Sequence, residues 1–344
     1  MVEESTTVTF GVITYNEHDY LPDLLSDLMA QSYPHELIEV ILVDGDSTDD
    51  TWKIITDFQE CNIHEFKAIK VLKNTKRIQP AGWNVVIKNC SCDILLRIDA
   101  HARLPENFVE KNVDCIHSGE NVCGGSRENI IDGATPWKRT LLMAEQSMFG
   151  SGIASYRHET SEKRYVKSLF HAAYKKEVIS SVGLFNEDLI RTEDNEYHYR
   201  VRQKGYQICY DPAIHSSYQT RNSLTGMLRQ KFLNGYWIGR TLFVCPGCIS
   251  LFHLVPGSFV LTIIFTLIIG LFGIWWPVVA LWIAYGVANI GMTILAVVSG
   301  NGNYYSIILP IIFFLLHICY GIGTLKGLIV GMIDSFSSKK EVDN

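Results

Sequence analysis

Two side chains of metal-ligand type, Asp99 and His101, stand one residue apart at the end of the apolar run Ile94-Leu95-Leu96-Arg97-Ile98. The run is too short for a helix and reads as a buried strand. A carboxylate and an imidazole leaving one strand end can converge on a single cation; by themselves they read equally well as a strand closing in a polar turn. Two other apolar runs end in polar clusters: Val8 to Ile13 runs into Thr14-Tyr15-Asn16-Glu17, and Ile38 to Val43 into Asp44-Gly45-Asp46-Ser47-Thr48-Asp49-Asp50. A further pair of carboxylates, Glu193 and Asp194, opens a helical pattern that runs through Arg202 and stops at Gly205. Acids are common in first helical turns because they complement the helix dipole, so this pair is either a cap or a chemical group.

The elements that must position these residues alternate. Strands are expected at Val8–Ile13, Ile38–Val43, Ala68–Leu72 and Asp93–Ile98, with helices at about Asp19–Gln31, after Asp50 to about Gln59, and from Gln79 to about Asn89. A second group follows a mixed stretch from Gly124 to about Gly152: Ser168–Val178, the helix at Glu193, and a strand at Tyr206–Tyr210. Strand and helix alternating at this spacing predict an α/β fold with a mostly parallel sheet and helices on both faces. Ligands of such sheets bind beyond the carboxyl ends of the strands, where strand order reverses. That is where the polar clusters fall.

Composition divides the 344 residues into unlike parts. Residues 1–222 read as a globular domain. Residues 223–250 mix Leu224, Met227, Phe232 and Trp237 with Arg229, Lys231 and Arg240, as an amphipathic helix or pair of helices at a membrane surface would, or as an ordinary domain helix. In 251–333 charge nearly vanishes, leaving Lys326. Spans are expected at about Pro256–Phe272, Pro277–Val298 and Ser306–Met332, with Trp275, Trp276, Tyr304 and Tyr305 at the interfaces. The last run exceeds one crossing, and His317 with the glycines from Gly321 to Gly331 leave two readings open, one long span or a crossing plus a re-entrant or surface segment. Three crossings put the polar tail, 334–344, on the far side, whereas Lys326, Lys339 and Lys340 favour the near side; both readings stay open. The start, Met1-Val2-Glu3-Glu4-Ser5, lacks the basic and apolar regions of a signal peptide. A formal charge of -6 argues against nucleic-acid binding, and nine scattered cysteines fit reduced thiols.

Taken in order, Thr14-Tyr15-Asn16-Glu17, Asp44-Gly45-Asp46-Ser47, Asp99-Ala100-His101 and Thr192-Glu193-Asp194 resemble the motifs of family 2 glycosyltransferases of the GT-A fold. The Asp-Ala-His form, Gly183-Leu184-Phe185-Asn186-Glu187 and Arg229-Gln230-Lys231-Phe232 resemble the branch typified by succinoglycan-biosynthesis glucosyltransferases. The resemblance covers about residues 6–245. It implies a cytosolic domain, held at the cell membrane by a multi-pass tail, that binds a nucleotide sugar, usually a UDP-sugar, and inverts its anomeric carbon. Asp99 and His101 would hold Mn²⁺ or Mg²⁺. Asp194 would be the base that takes the acceptor's proton, and Glu193 would orient a neighbour or the acceptor. Thr14, Tyr15, Glu17, Asp44, Asp46 and Asp99 would line the donor site, with Lys76, Arg77 and Arg229 clamping its phosphates.

Three departures bear on this. His101 replaces the commoner second Asp of Asp-x-Asp, and Gly45 the second Asp of Asp-Asp-Gly-Ser, leaving Asp44 or Asp46 to contact the base. The Gln-x-x-Arg-Trp signature of processive synthases is absent, which favours transfer of a single sugar. The expected acceptor is a lipid-linked saccharide, with polyprenyl phosphate itself as the closest alternative and a catalytically silent membrane-assembly subunit as the rival from another class.

Overall fold

The structure, a computed structural model, describes residues 6–150 and 162–342, without the side chains beyond residue 336. The acidic start Met1–Ser5, the end of the mixed stretch at Gly152, and the tail residues Asp343 and Asn344 lie outside the described residues. The chain divides into two units, 1–128 with 155–219, and 129–154 with 220–344.

In the first unit the elements run β1 (Val8–Thr14), α1 (Leu21–Met29), β2 (Ile38–Asp44), α2 (Thr51–Asn62), β3 (Ala68–Lys73), α3 (Gln79–Asn89) and β4 (Ile94–Asp99). These are the alternating units read from sequence. β3, β2, β1 and β4 lie side by side and parallel. β2 is buried along its whole length, as a strand covered on both faces must be. Its alternate residues separate cleanly. Val40 and Leu42 join Phe10, Leu24 and Leu28 in one core, while Ile41 and Val43 join Trp83, Val86 and Leu95 in the other.

Beyond β4 the sheet turns antiparallel. β5 (Ala102–Arg103), α4 (Phe108–His117) and β6 (Val122–Ile130) lead into the chain's excursion through the second unit. After that come β7 (Arg164–Tyr165), β8 (Ala172–Lys175), α6 (Lys176–Val182), α7 (Glu193–Gln203) and β9 (Ile208–Gln219). The order is β3-β2-β1-β4-β8-β6-β9-β5, with β7 beside β9. Register then fixes where the strands end together: Thr14 pairs with Asp44, and Ile13 with Asp99.

The second unit holds α5 (Pro136–Gln146), α8 (Leu224–Val244), α9 (Val255–Leu271), α10 (Trp276–Ser299) and α11 (Leu309–Val342). Leu141, Met143 and Ala144 of α5 share a core with Met227, Leu309, Phe313 and Leu316, so the described part of 129–154, which sequence places inside the catalytic domain, groups with the C-terminal helices. Three helical stretches, Leu251–Leu271, Trp276–Ser299 and Tyr304–Phe336, are long and apolar enough to cross a membrane.

Of the two readings of the last run, the structure has the unbroken one: α11 is a single helix of 34 residues. Its glycines serve packing instead. A side chain at Gly327 would come within 2.0 Å of the Tyr236 carbonyl oxygen, and one at Gly235 within 2.0 Å of that of Tyr320. α8 and α11 therefore meet backbone to backbone, the geometry that small residues allow. His317 does not break the helix either; its Nε2 lies 2.7 Å from the Phe149 carbonyl oxygen.

Candidate functional site

Thr14 and Asp44, paired across β1 and β2, are both buried. The Asp44 carboxylate accepts from the Ser47 backbone N–H at 3.0 Å, from the Ser47 hydroxyl at 2.5 Å and from the Thr14 hydroxyl at 3.3 Å. Asp44 is thus committed to building the turn. Gly45 donates its N–H to the Thr14 carbonyl at 2.8 Å, and a side chain there would press within 3.1 Å of that oxygen. Asp46, in the left-handed region at φ 65°, forms an ion pair with Arg77, itself at φ 57°. Lys76 pairs with Glu187, which also accepts from the Asn84 amide at 3.0 Å. Two of the three cations expected to clamp phosphates, Lys76 and Arg77, are therefore paired with carboxylates at the surface of this unit. Arg229 is exposed on α8 and belongs to the second unit.

The loop after β1 is pinned by the turn after β2. Asn16 accepts the Thr48 N–H at 2.8 Å, and the Glu17 N–H donates to the Thr51 hydroxyl at 2.8 Å. Tyr15 is left 55% exposed, available to stack on a ligand. Glu17 reaches across to the β4 side, where its Oε1 lies 3.0 Å from His101 Nδ1. The ring of His101 meets Tyr218 edge-on at 4.6 Å, and its Nε2 is buried without a partner. Burial alone would depress the imidazole's pKa, but Tyr218 and the hydrogen bond and charge of Glu17 outweigh it and raise the pKa to about 10.

On the same face of β4 as Asp99, two residues earlier, stands Arg97. It is buried, with its guanidinium 4.9 Å from the Trp83 ring and 5.4 Å from that of Phe185, and it donates to Glu193 Oε1 at 2.9 Å. Glu193 and Asp194 form the first turn of α7. Glu193 is buried and its Oε2 has no partner; Asp194 is half-buried and accepts the Asn195 N–H at 2.8 Å. Burial pushes both carboxyls up. The neighbouring Asp194 adds to the effect on Glu193, to about 8, while Arg97 pulls each back. Asp99 also raises both acids, so all four charges act on one another.

Of the residues singled out by sequence, Glu17 and His101 form one hydrogen-bonded pair, and Glu193 and Asp194 share one guanidinium with Asp99 within electrostatic reach. Arg97, Glu187 and Tyr218 were missed. Arg97 had a signal, a lone charge inside an apolar strand; Tyr218 had none.

A parallel sheet continued by antiparallel strands, with acidic groups at the parallel strands' carboxyl ends and three apolar helices after it, is a GT-A fold with a C-terminal apolar region. Glycosyl transferase family 2 matches residues 9–183, just over half of the chain, and the protein belongs to that family. A Methanococcus voltae protein named dolichyl N-acetyl-α-D-glucosaminyl phosphate 3-β-D-2,3-diacetamido-2,3-dideoxy-β-D-glucuronosyltransferase is 29% identical over 328 residues, 94% of this chain and 98% of its own length. A succinoglycan biosynthesis protein of Rhizobium meliloti is 27% identical over 239 residues, 69% of each chain. Among solved structures, a mannosyltransferase from Pyrobaculum calidifontis, in complex with GDP-Man and Mn²⁺, has a TM-score of 0.62 at 16% identity, over 94% of this chain and 88% of its own. That last likeness is one of fold. The protein is a glycosyltransferase, which sets aside the silent-subunit reading.

Proposed function

We propose that this enzyme is a membrane-anchored, inverting glycosyltransferase that moves one sugar from a nucleotide donor, a UDP-sugar, to a lipid-linked saccharide at the cytosolic face. The observation that carries the reading is the convergence at β4: Asp99 and Arg97 on one face of the strand, with Arg97 joined to the helix turn that presents Asp194. End-to-end similarity to a transferase named for a dolichyl-phosphate-linked sugar supports a lipid-linked acceptor over polyprenyl phosphate itself.

Residues 1–222 would supply the catalytic domain, 223–250 the membrane-interface helix, 251–333 the spans and 334–344 the tail. Asp194, half-buried and near a guanidinium that favours its ionised form, would accept the proton of the acceptor hydroxyl. Glu193, buried against Arg97, would orient that turn. Tyr15 and Asp46 would meet the nucleoside, Thr14 and Asp44 would hold their loops in place, and Lys76, Arg77 and Arg229 would exchange their present surroundings for donor phosphates.

The donor set suits a divalent ion. Asp99 offers a hard oxygen, and His101 has one nitrogen occupied by Glu17 and the other without a partner. Among the described residues no three His, Cys, Asp or Glu side chains gather around one point, so Asp99 and His101 would share the ion with the donor's diphosphate. When bound, Mn²⁺ or Mg²⁺ would neutralise charge developing on the leaving diphosphate. A screen of UDP- and GDP-sugars with purified enzyme and a lipid extract tests the reading. Transfer is expected from one donor, and excess chelator should abolish it. Full activity in chelator sinks the assignment of Asp99 and His101.

A further inference from the structure

Glu17 was read from sequence as a donor contact, and its carboxylate meets the ring of His101. The pairing of Ile13 with Asp99 sets the ends of β1 and β4 side by side. The residue four past Ile13 then meets the residue two past Asp99, and Glu17 Oε1 lies 3.0 Å from His101 Nδ1. Both partners are held from behind. The Glu17 N–H is fixed by the Thr51 hydroxyl at 2.8 Å, and the Glu17 carbonyl accepts from Leu21 at 2.9 Å, at the start of α1. The His101 carbonyl accepts the Gln219 N–H at 3.1 Å, and Tyr218 closes on the ring edge. One imidazole nitrogen is thus tied to a carboxylate, and the other is buried with nothing to bond.

We propose that Glu17 is a positioning residue that acts through His101: it holds the Nδ1 proton, fixes the ring, and leaves Nε2 as the nitrogen presented to a divalent cation. The proposal rests on the reading of Asp99 and His101 as the ion's ligands. Once Nε2 has given up its proton to bind a cation the ring is neutral and brings no charge, and a carboxylate one hydrogen bond away supplies it while making the ligand nitrogen more basic. The Asp99-x-His101 pair then carries the negative charge of two carboxylates, one of them delivered from β1.

The test uses the full-length protein in detergent and Mn²⁺ alone, titrated by electron paramagnetic resonance, with ¹⁴N coupling to the bound ion as the spectroscopic signature. Asp99→Ala and His101→Ala should each abolish measurable binding. Glu17→Ala should weaken Mn²⁺ by about 10- to 100-fold, the usual size of such outer-shell effects, with Glu17→Gln falling between it and the parent. Glu17→Gln also serves if the alanine variant fails to fold. Metal-free UDP binding should be unchanged in both. Parent-like Mn²⁺ affinity and ¹⁴N coupling in Glu17→Gln and Glu17→Ala, or loss of metal-free UDP binding, overturns the role of Glu17. Parent-like Mn²⁺ affinity in His101→Ala overturns the underlying ligand reading instead, so the two failures are distinguishable.

Discussion

Two buried glutamates, at opposite ends of the same sheet, each face one cation, and they are treated very differently. Glu39, near the start of β2, accepts from Lys70 Nζ at 2.6 Å, from the Thr9 hydroxyl at 2.7 Å, and from the N–H and hydroxyl of Ser91 at 2.9 and 2.8 Å. Burial would raise its pKa, but these donors outweigh burial and lower it. Glu193, at the other end, has Arg97 on one oxygen and nothing on the second, with another carboxyl next to it, and its pKa rises. A fully satisfied buried charge is structure; a half-satisfied one is a candidate for work, because strongly perturbed groups gather at functional sites. The sheet spends its hydrogen bonds at the end where nothing is expected to bind, and withholds them where the strands open.

The sharpest way to break this contrast is to remove charge at both ends. Asp194→Asn should cut transfer by roughly 10²- to 10⁴-fold, the usual contribution of a positioned base. Glu39→Gln should leave turnover per folded molecule near that of the parent. If Asp194→Asn retains parent turnover in a lipid-extract assay, the acidic turn of α7 is a helix cap and the contrast loses its functional half.

Arg97 is next in size. Arg97→Met removes the cation that bonds Glu193 and acts on Asp194, and a misplaced catalytic group of this kind costs on the order of 10²-fold in rate. The double variant Arg97→Met/Glu193→Gln removes the buried pair together, so it should melt above Arg97→Met alone, since replacing a whole buried pair is far milder than orphaning one partner. Turnover should stay low in both. Recovery of parent turnover in the double variant would reduce Arg97 and Glu193 to a structural pair.

Arg97 also shows where reading a sequence stops. The four parallel strands, their helices and the polar clusters at their ends follow from hydrophobic period and turn chemistry, which are local. What Asp44 does is not local: it looks like Asp46 in sequence, yet register buries it and Ser47 consumes its oxygens. Glu17 and His101 meet only because Ile13 pairs with Asp99. Tyr218 arrives from β9, more than a hundred residues after His101, and no spacing rule reaches that far. In the second unit, the glycines of the last apolar run looked like breakers because a glycine's cost in a helix is visible in sequence, whereas the partner helix that they admit is not.

The smallest effect is also the most diagnostic, because the two glutamates should respond to pH with opposite sign. Glu39 has a lowered pKa in the fold, so its ionised form stabilises the native state above the ordinary carboxylate value of 4.5, and that contribution fades as pH falls through the folded value. Glu193 has a raised pKa, so its contribution is complete below 4.5 and is lost as pH climbs toward about 8. Melting curves of Glu39→Gln and Glu193→Gln against the parent, from pH 4 to 9, should therefore diverge. The deficit of Glu39→Gln should narrow on the acid side. Glu193→Gln should gain on the parent as pH rises from 5 to 8, because a neutral amide has no proton to lose. Parallel trends would mean that Glu193 is ionised and satisfied throughout, as Glu39 is, and that the open end of the sheet holds no carboxyl in reserve.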